Sequence, residues 1–166
     1  MFAFYNKHNN NLYNKLVQLS RNIFFYRELK LKDNFETRII LIFLHFSIIL
    51  IIFKKNKKEL FPQKIFDNIF LNIEYHLREL GFGDVAINTK MKLLNKIFYD
   101  ILLKLENLDK LKFTTNKKII KKHFFTVGGQ KIANSEEIGL YLENFYNFCF
   151  ELNSRSMIEG EIKFNY

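Results

Sequence analysis

Arg78, Glu79 and Asp84 flank a Gly-Phe-Gly turn in the stretch YHLRELGFGD, residues 75–84. A guanidinium, two carboxylates and two glycines so close together invite three readings. A glycine turn that enters a helix can offer N–H groups to phosphate. Carboxylates can hold a metal or move a proton. Glycines can also simply end one helix and start another. The phosphate reading fails on charge, because Asp84 would sit where an anion should be welcomed, and a lone Gly-x-Gly is a weak signal. The metal reading fails on ligand count: Glu79 and Asp84 are the nearest carboxylates, with Arg78 and Lys90 close by to pair with them.

The helix-stop reading accounts for most of the stretch. Gly81 falls where a left-handed residue is needed, and glycine adopts that conformation without steric cost. Phe82 then falls where a side chain folds back on the residue three from the end, Leu77. Gly83 allows a second change of direction. Asp84 is placed to accept backbone N–H bonds at the start of the next helix. The corner therefore reads as a hinge between helices or a protein-contact surface, ahead of a small-ligand site.

The other reactive side chains are scattered. His45 lies in an apolar helical run and reads as a hydrogen-bonded core histidine. His8, His76 and His123 stand in separate surroundings, and no serine or cysteine has a base beside it. Cys149 is the one cysteine; it cannot form an internal disulfide and reads as a small buried hydrophobe. No Cys/His cluster has zinc spacing. No catalytic residue, cofactor or metal is assigned.

The elements that must position the corner are helices. With 166 residues the chain is expected to form one domain, large enough to bury a core without staples. Leu12, Leu16, Leu19, Ile23 and Tyr26 mark a first helix over 10–29, ended by KLKDN. A second helix runs over about 35–58. Its stretch IILIFLHFSIILIIF, 39–53, has no polar face, so neighbours should surround it. Fifteen helical residues span about 22 Å, short of a hydrocarbon core of about 30 Å, which favours a core helix over a membrane span or a surface-lying helix. The mean hydropathy of −0.12 agrees. Pro62 suits the first turn of a third helix, with Ile65, Phe66, Ile69, Phe70, Ile73, Leu77 and Leu80 as its buried stripe. The next stripe runs from Ile87 to Leu108. A short basic helix follows at 114–125, then a loop, VGGQKIAN. Asn134 and Glu137 resemble a capping box ahead of a last long helix. The expected fold is an all-α, single-domain globular bundle of about six helices with an irregular C-terminal tail.

The formal charge of +9 invites an acidic partner, either a membrane surface or ribosomal RNA. Yet 21 lysines stand against five arginines, beside 19 Asn, 20 Ile and three Ala. That pattern is what an A/T-rich genome produces, and phosphate recognition favours the arginine fork. The N-terminus MFAFYNKHNNN has neither a secretory apolar core nor the Arg- and Ser-rich pattern of a presequence. The chain is expected to stay where it is made.

Four segments in order, NLYNKLVQLSRNIFFYREL (11–29), FETRIILIFLHFSIIL (35–50), IFDNIFLNIEYHLRELGFGD (65–84) and KMKLLNKIFYDIL (90–102), resemble the ubiquinol–cytochrome c chaperone family. The matching positions are Leu12, Tyr13, Leu16, Val17, Ser20, Arg21, Phe25 and Tyr26; Leu44 and His45; Phe66, Asp67, Phe70, Leu77, Arg78, Glu79, Gly81, Gly83 and Asp84; and Lys90, Met91, Lys92, Phe98 and Tyr99. The resemblance covers about 11–108. KLKDN departs from it by lacking a proline before its aspartate.

The resemblance implies an all-α protein without catalytic activity or cofactor that assists assembly of the cytochrome bc1 complex (respiratory complex III). It implies cytochrome b as client, a small partner chaperone and the ribosome as further partners, and no DNA. On this reading residues 1–10 are a disordered or loosely packed N-terminus, 11–153 the helical chaperone domain, and 154–166 a tail packed on it. Arg78, Glu79, Gly81, Gly83, Asp84, Lys90 and Lys92 form part of a partner-facing edge. The expected location is the bacterial cytoplasm, peripheral to the inner membrane. The alternative is a basic helical RNA- or ribosome-binding protein unrelated to respiration.

Overall fold

The computed structural model describes residues 10–106, 117–131 and 134–166. The N-terminal segment 1–9, Leu108 and positions 114–116 of the expected basic helix lie outside the described residues. Among the described residues the chain is all-helical, without a strand. The α-helices are α1 (Asn11–Ser20), α2 (Ile23–Arg27), α3 (Phe35–Ile52), α4 (Gln63–Glu79), α5 (Asp84–Glu106), α6 (Lys117–Gly128), α7 (Ser135–Phe150) and α8 (Ser154–Ile158). A π turn, Phe53–Lys57, prolongs α3.

The first expected helix is two. Ser20 Oγ donates to Val17 O at 2.7 Å, and Asn22 leaves the helix to accept the Phe24 N–H at 3.0 Å. Side chains that bond their own backbone compete with the helical ladder, and here they end it. The buried face then shifts: Phe25 is fully buried while Ile23, assigned to the stripe by spacing, is 59% exposed.

α3 is the core helix. Asn34 caps it by accepting the Thr37 N–H at 2.9 Å. No side chain from Ile39 to Ile49 is more than 2% exposed. The helix is long and apolar enough to cross a membrane, but α1, α5, α6 and α7 pack around it and cover that surface. A helix apolar on all sides must be wrapped in this way. Aromatic rings fill the space to either side. Phe43, Phe46, Phe66, Phe70 and Phe98 pack ring on ring where α3 meets α4 and α5, some stacked and some edge to face. Phe24, Phe25, Tyr141, Phe145 and Phe164 form a second cluster around α7.

His45 is the polar pin of this core. Its Nδ1 lies 2.6 Å from Leu41 O, which can only accept, so Nδ1 carries the proton. Nε2 is then the acceptor for the Tyr141 hydroxyl at 2.9 Å. Burial drives its pKa down to about 4, against the opposing effect of the Leu41 bond. At the edge of the bundle Asp100 ties α6 to α5, accepting from His123 at 2.7 Å and pairing with Lys104 and Lys122. Burial pushes this carboxyl up, but the three donors outweigh it and hold it at about 2. Cys149 is buried and its thiol is pushed up to about 12, so it packs as a hydrophobe.

The capping box at α7 does not form. Asn134 has φ −110° and ψ 51°, away from the extended geometry that aims a cap, and its side chain makes no cap bond. The tail is partly helical. Beyond α8 it runs as an arm with Ile162 buried and Phe164 against Tyr141, Phe145 and Phe148. Gly160 turns the chain with φ +72°, and a Cβ there would lie 2.6 Å from Asn11 O.

Two predictions follow from this core. Above pH 6.5 His45 is neutral in both states. Below it the unfolded chain takes up a proton that the folded chain refuses until about pH 4, so stability falls as pH falls through that window. The loss should reach about 3 kcal/mol by pH 4 in urea titrations, at about 1.4 kcal/mol per pH unit, and His45→Leu should flatten the slope. Gly160→Ala should cost about 1–3 kcal/mol in the same assay, because it meets both a left-handed φ and the α1 backbone.

Candidate functional site

α4 ends as its sequence dictates. Gly81 takes φ +91°, Gly81 N–H donates to Arg78 O at 2.9 Å, and Phe82 N–H donates to Leu77 O at 3.3 Å. These two bonds are the Schellman pair. Phe82 stays 38% exposed, and the Lys90 ammonium sits 4.5 Å from its ring centre. A cation over an exposed aromatic face is weakly attractive.

Asp84 is the first residue of α5 rather than the residue before it. It favours the positive end of the helix dipole there. Its Oδ1 accepts from Arg78 Nη1 at 2.5 Å, while Arg78 Nη2 donates to Glu74 at 2.9 Å. Its hydrogen bonds to Asp84 and then to Glu74 raise the already high pKa of this guanidinium. One arginine fork thus locks the last turn of α4 to the first residue of α5.

The structure brings Arg78, Gly81, Gly83, Asp84 and Lys90 together at this corner. Glu79 lies beside α1, where burial and then its charge push the Tyr13 phenol up to about 12. Lys92 is exposed, about two turns along α5.

Two clefts flank α4, and sequence reasoning missed both. The larger, about 950 Å³, lies between α4 and α5. Phe66, Phe70, Leu71, Met91 and Tyr99 supply its apolar surface, and Asp67, Asn68, Glu74 and Asn95 its polar groups. The smaller, about 640 Å³, lies between α1 and α4, with Tyr13, Arg21, His76, Arg78 and Glu79 in its wall. Glu74 lines the first cleft and its partner Arg78 the second, so the corner sits where they meet.

The signal for the larger cleft was in the α4 stripe. Seven apolar positions were expected to be buried. Only Ile69, Ile73 and Leu77 are, while Ile65, Phe66 and Phe70 are half-buried and Leu80 is 51% exposed. The stripe is wider than the neighbours that cover it. A polar set holds α4 in place: Asn68 Nδ2 donates to Asn10 Oδ1 at 2.6 Å, and Asn72 Nδ2 to Asn68 O at 2.7 Å.

The arrangement offers a half-covered aromatic cleft with a fixed, charged rim. Such a shape suits holding an apolar segment, the helix-in-groove mode of recognition.

Comparison with known proteins places this architecture. The fold is similar to the crystal structure of the Cbp3 homolog from Brucella abortus, with a TM-score of 0.66 at 19% identity, covering 95% of this chain and 88% of that one. No curated protein matches the sequence. The family model for the ubiquinol–cytochrome C chaperone matches residues 27–164, which includes α3, both walls of the larger cleft and the corner, and the chain therefore belongs to the ubiquinol–cytochrome c chaperone family.

Proposed function

We propose that this chain is an assembly chaperone of the cytochrome bc1 complex that shields an apolar segment of newly made cytochrome b in the α4–α5 cleft. Family membership makes it a chaperone of the ubiquinol–cytochrome c type. The observation that carries the finer reading is the half-buried surface of Phe66, Phe70, Leu71, Met91 and Tyr99. Phe66 and Phe70 pack inward on α3 and α5 yet keep part of their surface open, and that part is available to a further neighbour. Each Å² of client surface taken from water there stabilises the complex by about 25 cal/mol before ordering costs. An amphipathic or fully apolar client helix would place anchors at i, i+3 or i+4 and i+7 along the cleft.

The corner has a separate part. Its rim charges, Arg78, Asp84, Lys90 and Lys92, are exposed or half-exposed and hold no core together. They face a partner surface, and Gly81 and Gly83 shape the turn that presents them. The exposed Leu80, Phe82 and Val85 at the same hairpin tip suit contact with a second protein, such as a small partner subunit or the ribosome. The work is done in the bacterial cytoplasm, beside the inner membrane that receives cytochrome b.

Arg78→Ala with Asp84→Ala should lower bc1 activity and the b-type cytochrome spectrum of host membranes several-fold while changing the melting temperature little, because the pair is solvated. An equal loss of stability and activity would reduce the corner to a hinge. Leu71→Gln with Tyr99→Lys, which place polar groups in the cleft without opening the α3 core, should lower the b-type signal by a similar factor. Normal cytochrome b in that variant would remove the cleft from the account.

A further inference from the structure

The far end of α3 departs from the burial of its middle. Lys54, Lys55, Lys57 and Lys58 follow Phe53 directly, and Lys64 comes in the first turn of α4. Between them Leu60 is 97% exposed, more than any other large apolar side chain described. The turn that holds it out is built. Glu59 N–H donates to Phe53 O at 3.1 Å, and Lys58 takes φ +54°, a left-handed conformation that non-glycine residues rarely adopt.

Other helix ends meet this pole. Lys54 pairs with the Glu106 carboxylate at 2.5 Å, Lys55 donates to Glu106 O, and Lys57 donates to Phe150 O at 3.2 Å. The ends of α5 and α7 therefore converge on the π turn, where cations complement their negative dipole ends. Phe150 adds a ring that is 42% exposed, with the Lys57 ammonium 6.0 Å from its centre. Five lysines against the carboxylates of Glu59, Asp67, Glu106 and Glu151 leave a positive excess at this pole, and Glu106 is taken up by Lys54.

A run of lysines is ordinarily a solvated face, and a lone exposed leucine needs no explanation. A leucine held out by a left-handed lysine, at the centre of a net positive cluster, is a different object. We propose that this pole rests on an anionic lipid surface, with Leu60 entering the interface and Lys58 and Lys64, which flank it, facing the headgroups. Nucleic acid would use the lysines equally but has no use for the leucine, so the apolar tip selects lipid. Charge brings the pole to the surface, and insertion adds the second signal that stable peripheral binding requires. Gln63 and Lys64 also open the lining of the α4–α5 cleft, so this docking sets one end of the cleft against the bilayer. The bc1 reading supplies only the identity of that membrane. The test below contains no client, so the two readings can fail separately.

The chain has no tryptophan, so the L60W variant carries a single reporter at the tip. It is mixed with phosphatidylcholine vesicles, and with vesicles in which about a third of the lipid is phosphatidylglycerol. The emission should shift to the blue, and be quenched by brominated acyl chains, with the anionic vesicles alone. In sedimentation of the otherwise unaltered chain, Leu60→Ser should weaken binding about tenfold. Lys58→Asn with Lys64→Gln should weaken it about fivefold for each charge removed. Asparagine tolerates the left-handed φ at 58, so melting temperatures should hold. An unmoved emission with both vesicle types would overturn the proposal, as would binding indifferent to Leu60→Ser. Salt-sensitive RNA binding that is lost in the lysine variant, with no vesicle binding, would assign the pole to RNA and overturn it as well.

Discussion

The whole structure depends on covering α3. Its middle carries apolar side chains in every direction, and neither water nor a single neighbour can satisfy it. Four helices close around it, and the aromatic clusters fill the gaps they leave. The one polar residue that could spoil this core with a charge, His45, is kept neutral by its burial, and a carbonyl on one side and a phenol on the other satisfy its two ring nitrogens. Tyr141, from a helix 96 positions away, fixes which face of α3 meets α7. An apolar core specifies shape loosely; a satisfied buried polar pair specifies it further.

Using α1, α5, α6 and α7 to cover α3 has a consequence for α4. It packs mainly on α1 and α5, reaches α3 through the rings of Phe66 and Phe70, and is tied at its end by the Arg78 fork. A helix in that position buries only part of its apolar stripe. What remains is an aromatic cleft that is neither core nor ordinary surface. On the proposed reading this packing remainder is what would hold the client, with the corner joining its two walls.

Much of this was legible in the sequence. The long period of α3 with no polar face announced a core helix, and Gly81 with Phe82 announced a Schellman stop, because both depend on residues close together in the chain. What was not legible depends on distance or on competition. The break at Asn22 is a local contest between a side chain and the helical ladder, hidden under a continuous apolar spacing. The Asn10–Asn68 bond and the His45–Tyr141 pair join segments that no periodicity connects. Gly160 is a turn residue and also a place where two backbones nearly touch, which its type alone does not announce. The cleft was hidden for a related reason: spacing shows which side of α4 is apolar and says nothing of how much of it a neighbour covers. The corner was singled out from its residue types, and its geometry explains them, with Asp84 one position deeper in the helix than its type suggested.

The most direct test of the account is where newly made cytochrome b touches the chain. A photo-reactive amino acid placed at Leu71, in the wall of the α4–α5 cleft, and another at Arg155 on α8, away from it, would be activated in host cells during synthesis of the bc1 subunits. The account predicts cytochrome b crosslinked at position 71 and absent at 155. Capture at 155 with none at 71, or capture at neither position while cytochrome b is being made, would contradict it.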